Sequence, residues 1–108
     1  MAEKPVELKP IIQRFREQLM TMGINCSRVY VYGSHARGTA TESSDLDLII
    51  ISPDWQGMSQ RQRRELLGTA AARILEPIQA SGFTELELAE NDIPSFWQFI
   101  IRNQAVAA

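Results

Sequence analysis

Two strand-like runs stand so close together in this chain that a shared sheet is hard to avoid. Val29-Tyr30-Val31-Tyr32 is β-branched and aromatic and stops at Gly33. Asp45-Leu46-Asp47-Leu48-Ile49-Ile50-Ile51 alternates in its first half and is continuously apolar in its second, as in a strand that enters a buried sheet from an exposed rim. The segment between them, Ser34 to Ser44, is rich in hydroxyl residues, has no apolar period and reads as a loop or short irregular helix. It is too short for a helical crossover, so the two strands are expected to pair antiparallel.

Helical patterns flank this core. Leu8, Ile11, Ile12, Phe15, Leu19 and Met22 recur at spacings of three and four, which predicts a helix from Pro10 to Met22 ended by Gly23. Ser52-Pro53-Asp54 is turn chemistry, and Ser59 with Gln62 has the form of a capping box. The helix it opens would bury Leu66, Leu67, Ala70, Ile74, Leu75 and Ile78, ending or kinking near Glu76 ahead of Pro77. A third strand is expected from Phe83 to Ala89, and a last helix through Phe96, Trp97, Ile100 and Ile101. A helix between the second and third strands permits their parallel pairing. The expected class is α/β (α+β), a small mixed β-sheet with flanking helices.

Length and charge narrow the function classes. A chain of 108 residues closes one modest core, so a single domain over 1–108 is expected. The net charge of -2 gives no long-range pull toward nucleic acid or an anionic membrane, and Arg61, Arg63 and Arg64 read as a solvated helix face. Cys26 is the only cysteine, which excludes an internal disulfide and a cysteine metal framework. No signal-type or membrane-spanning apolar run occurs from Met1 onward, so a cytoplasmic location is expected.

The chemistry is concentrated between Gly33 and Asp47. Gly33 at a strand end lets the backbone turn sharply and approach a ligand, and Ser34 adds a hydroxyl beside exposed N–H groups, so the turn can cradle phosphate. Arg37 supplies a permanent positive charge for a triphosphate, and Ser44 either caps the turn or contacts phosphate. Asp45 and Asp47, two apart on a strand, project from one face with Cβ atoms about 7 Å apart. Two carboxylates so close repel unless a divalent cation, most simply Mg²⁺ with phosphate oxygens completing its shell, turns the repulsion into coordination.

Gly33-Ser34, ten intervening residues and Asp45-Leu46-Asp47 together resemble the signature of the DNA polymerase β-type nucleotidyltransferase superfamily. The Ala36-Arg37-Gly38 and Ser44-Asp45 variants are similar to its minimal nucleotidyltransferase branch. The resemblance implies a polymerase β-like nucleotidyltransferase fold and transfer of a nucleoside monophosphate, AMP from ATP or its equivalent, to an acceptor hydroxyl, with two Mg²⁺ ions. It also implies a third carboxylate on a later strand, for which Glu87 is preferred and Glu85 is a rival. The implied partner is a small helical HEPN-type protein, which some chains of this kind neutralise as antitoxins by attaching AMP to a tyrosine. Alternatives are a degenerate module that neutralises its partner by contact, and a transferase acting on a small molecule. A homo-oligomer is also left open.

Overall fold

The computed structural model describes residues 8–41 and 43–108. The reading made at the N-terminus, Met1 to Lys4, lies outside them. The first helix, α1 (Leu8–Thr21), buries Ile12, Phe15 and Leu19, and Gly23 follows it with φ +87°. Strand β1 (Arg28–Tyr32) leads through Gly33 into a single helical turn, α2 (Ser34–Arg37), and the chain returns as β2 (Leu46–Ile51). The two strands pair antiparallel from Arg28↔Ile51 to Tyr32↔Asp47, as the short connection requires.

After a 3₁₀ turn at Pro53–Trp55, α3 (Gln60–Arg73) begins with the expected capping box, in which Gln62 N donates to Ser59 Oγ at 3.1 Å and Ser59 N to Gln62 Oε1 at 2.9 Å. The helix stops earlier than its apolar pattern suggested. Leu75 takes a left-handed φ of +58° and is 88% exposed, and Ile78 already belongs to a strand.

That strand, β3 (Ile78–Phe83), replaces the one expected at Phe83 to Ala89 and runs parallel to β2 from Leu46↔Ile78 to Ile51↔Phe83. The Leu86-Glu87-Leu88 alternation belongs instead to a short helix, α4 (Glu85–Ala89), whose capping box is Thr84 with Glu87. The final elements are α5 (Ser95–Asn103), at the expected place, and a two-residue strand β4 (Val106–Ala107), which the sequence had not suggested. The sheet order is β3-β2-β1-β4.

The alternation of β2 divides the apolar interior. Leu46, Leu48 and Ile50 face α1 and α3 together with Val29, Val31, Leu67 and Trp55. Ile49 and Ile51 face α4 and α5 with Phe83 and Ile100. Trp55 is fully buried, donates its indole N–H to Ile50 O at 3.0 Å, and lies so close over Gly82 that a Cβ there would meet its ring. Helices thus cover both faces, while the rim where β1 ends and β2 begins stays open to solvent. Among the described residues no helix is long and apolar enough to cross a membrane.

Candidate functional site

The open rim holds the residues singled out from the sequence. Since Tyr32 pairs with Asp47, the chain leaving β1 at Gly33 passes directly beside the start of β2. Gly33 has φ +71° and ψ -150°, a region open essentially to glycine alone. A Cβ at this position would collide with Asp47 Oδ2, so the glycine turn and the carboxylate are packed against each other. The first N–H groups of α2 receive no side-chain cap. Arg37 closes the helical turn with a backbone bond to Gly33 O at 3.1 Å, and its side chain is exposed.

Asp45 is exposed and Asp47 about half-buried. Burial, and then the neighbouring Asp45, push the Asp47 carboxyl above its ordinary value, while His35 and Arg37 pull it down. Tyr32 forms a wall of the site; its hydroxyl is pushed up to about 12 by burial and by the charge of Asp47. Trp97 meets the Tyr32 ring edge-on at 5.5 Å, so α5 supports that wall. Ser44 is committed to the connecting turn, where its Oγ accepts from Thr41 N at 2.9 Å. Gly33, Ser34, Arg37, Ser44, Asp45 and Asp47 therefore share one end of the sheet.

Glu87 does not join them. Asp47 stands level with Gln79, and β3 runs four more residues, about 13 Å, before α4 begins at its far end. There Glu87 accepts from Arg63 Nη1 at 2.7 Å and Nη2 at 3.2 Å, and from Thr84 N at 2.7 Å. Burial opposes its ionisation, but the hydrogen bonds and charge of Arg63, aided by Thr84, bring its carboxyl below the ordinary value. Arg63, read from sequence as solvated, is 4% exposed and also donates to Gly82 O and Met58 O. Glu85, the rival, forms an exposed ion pair with Arg28 at 2.9 Å. Both glutamates are thus held in ion pairs at the far end of β3, away from the aspartates.

The residue that does face the aspartates from β3 is Gln79, whose Nε2 donates to Asp45 Oδ2 at 3.0 Å. Its sequence signal was weak: a polar residue between Ile78 and Ala80 carries no charge to attract attention. Among the described residues no three His, Cys, Asp or Glu side chains gather to hold a metal ion. The two aspartates offer only hard oxygen donors, and the missing Cβ at Gly33 lets Asp47 lie against the turn, so the residues present suit a divalent cation that brings further oxygen ligands. A groove of about 660 Å³, with Lys9, Arg16 and His35 at its rim, lies behind α2 toward α1 and β4, away from the carboxylates.

A mixed sheet covered by helices, with a glycine turn abutting acidic residues on the adjacent strand, has the nucleotidyltransferase fold. Residues 12–98 match the family model described as "Nucleotidyltransferase domain", and the chain belongs to that family. Its fold is similar to that of a candidate nucleotidyltransferase from Sulfolobus solfataricus, with a TM-score of 0.61 and 19% identity over 93% of this chain and 77% of that one. It is equally similar, with a TM-score of 0.61 and 17% identity, to a toxin-antitoxin structure solved with AMP-PNP, covering 94% of this chain and 72% of that one. No curated protein sequence matches.

One consequence of the cradle can be measured directly. Gly33→Ala places a side chain in a glycine-only conformation and against Asp47 Oδ2, so it is expected to lower stability by about 1–3 kcal/mol in urea unfolding. Stability equal to the parent's would mean that the turn and Asp47 are not packed as described.

Proposed function

We propose that the chain is a Mg²⁺-dependent nucleotidyltransferase that moves a nucleoside monophosphate, AMP from ATP in the simplest case, onto an acceptor hydroxyl with release of pyrophosphate. The observation that carries this reading is the contact between the Gly33 turn and Asp47, which sets a turn whose N–H groups receive no side-chain cap beside a pair of hard-oxygen ligands. Asp45 and Asp47 would hold the cation, Gly33 and Ser34 would seat phosphate oxygens on backbone N–H groups, and Arg37 would neutralise charge on the triphosphate. The cation would supply charge neutralisation at the transferred phosphorus, which such in-line displacements need more than covalent help.

The toxin-antitoxin neighbour supports a toxin partner, and the resemblance to minimal nucleotidyltransferases makes a HEPN-type protein with a modifiable tyrosine the first candidate. A second reading, a module that neutralises its partner by contact, is favoured by the absence, among the described residues, of a third carboxylate beside the two aspartates. The test is label transfer: the chain, a candidate partner, Mg²⁺ and α-labelled ATP are incubated, and the partner is examined for covalent label. Label that depends on Mg²⁺ is expected. Tight complex formation without label would replace transfer by the contact reading.

A further inference from the structure

Strand β3 meets the two aspartates through a single side chain. Its register with β2 places Gln79 level with Asp47, whereas Ile78 and Ala80 pair with Leu46 and Leu48 and lie on the opposite face of the sheet. Ser81 shares the face of Gln79 but is level with Ile49, one pleat deeper. Any group that β3 contributes to the rim must therefore come from position 79. There the chain presents an amide, already engaged with Asp45 Oδ2 at 3.0 Å.

A glutamine amide has two N–H donors and one carbonyl oxygen and carries no charge. Its N–H bond to Asp45 fixes one carboxylate oxygen and leaves the other to turn toward Asp47. A carboxylate at the same place would instead add a third negative ligand, enough to raise the affinity for a bare divalent cation. Mg²⁺ and Mn²⁺ favour hard oxygen donors and near-octahedral shells, and with two carboxylates at the rim among the described residues, water or phosphate would supply further ligands.

We propose, building on the cation site of the preceding reading, that Gln79 is a positioning residue which orients Asp45 and, by being neutral, makes tight retention of the cation depend on a bound polyphosphate. The cation then arrives and leaves with the nucleotide rather than residing in the empty protein. The exposure of Gln79 and Asp45 allows both to be substituted without opening the core.

The experiment is an Mn²⁺ titration of the full chain, read by the electron paramagnetic resonance of the free ion, with and without a non-hydrolysable ATP analogue. In the parent, the analogue should tighten Mn²⁺ binding beyond the affinity of the analogue itself. Gln79→Glu should bind Mn²⁺ without nucleotide at least about tenfold more tightly than the parent, and Gln79→Ala should weaken nucleotide-dependent binding several-fold with no gain in its absence. Equal Mn²⁺ affinity in Gln79→Glu and the parent, with the parent still binding Mn²⁺ and analogue together, overturns the role of Gln79 alone. Parent chain that shows no binding of Mn²⁺ with the analogue overturns the underlying cation site and this inference with it.

Discussion

Asp47→Asn is expected to lower metal-dependent nucleotidyl transfer by on the order of 10²-fold or more while leaving the fold intact. Loss of groups that merely orient a metal ligand commonly costs 10- to 100-fold, and replacing a ligand itself with a weaker, neutral donor should cost at least that. Stability should move the other way. Asp47 has its carboxyl raised by burial and by Asp45, so its charged form is the one the fold disfavours. For an acid shifted in this direction, the folded state is favoured below the unfolded value of 3.8 and loses stability as pH rises through the folded value. At neutral pH the asparagine removes that burden, and the cation-free variant should melt at or slightly above the parent temperature. An inactive variant that also unfolds would assign Asp47 a structural role, and an active one would remove it from the cation site.

The parts of this fold that were legible in the sequence are those whose pattern and tertiary role agree. Ile49-Ile50-Ile51 could only be a buried strand, and its sheet covers it on both sides. Gly33 was legible because a strand that stops at a glycine marks a sharp turn that other residues cannot make, and its φ of +71° is of that kind. The third strand was not. Gln79-Ala80-Ser81-Gly82 has almost no intrinsic strand preference; it is extended because β2 offers a parallel hydrogen-bonding edge and because Gly82 lets Trp55 pack flat over it. Leu86-Glu87-Leu88, by contrast, alternates like a strand over too few residues to distinguish the two periods. Thr84 followed three residues later by Glu87 was the signal that favoured a helix start, and its side-chain bonds are those of a capping box. Charge alone points to the glutamates of Leu86-Glu87-Leu88 and its neighbour Glu85, whereas the β3 residue that faces the aspartates, Gln79, carries none.

Glu87→Gln therefore separates the two descriptions of this residue, and it is expected to cost about 3 kcal/mol of stability with little effect on transfer by the molecules that remain folded. The guanidinium of Arg63 is buried with its side chain only 5% exposed, and Glu87, at 24%, is its charged partner. Neutralising Glu87 leaves that cation without a counter-charge in a low-dielectric setting, which is where removal of one partner is most damaging. Glu85→Gln breaks only the exposed pair with Arg28, where each side chain is about half exposed and screened by water, and should change stability little. The pH dependence provides an independent sign. Because the Glu87 carboxyl is lowered in the fold, its contribution is complete above the unfolded value of 4.5 and is lost as pH falls through the folded value. Urea midpoints should accordingly fall below about pH 4.5 in the parent and less steeply in Glu87→Gln. A double variant with methionine at both Arg63 and Glu87 removes the buried charge along with its partner and should regain most of the lost stability. A Glu87→Gln protein of parental stability whose turnover falls 10²-fold would return this glutamate to the reaction.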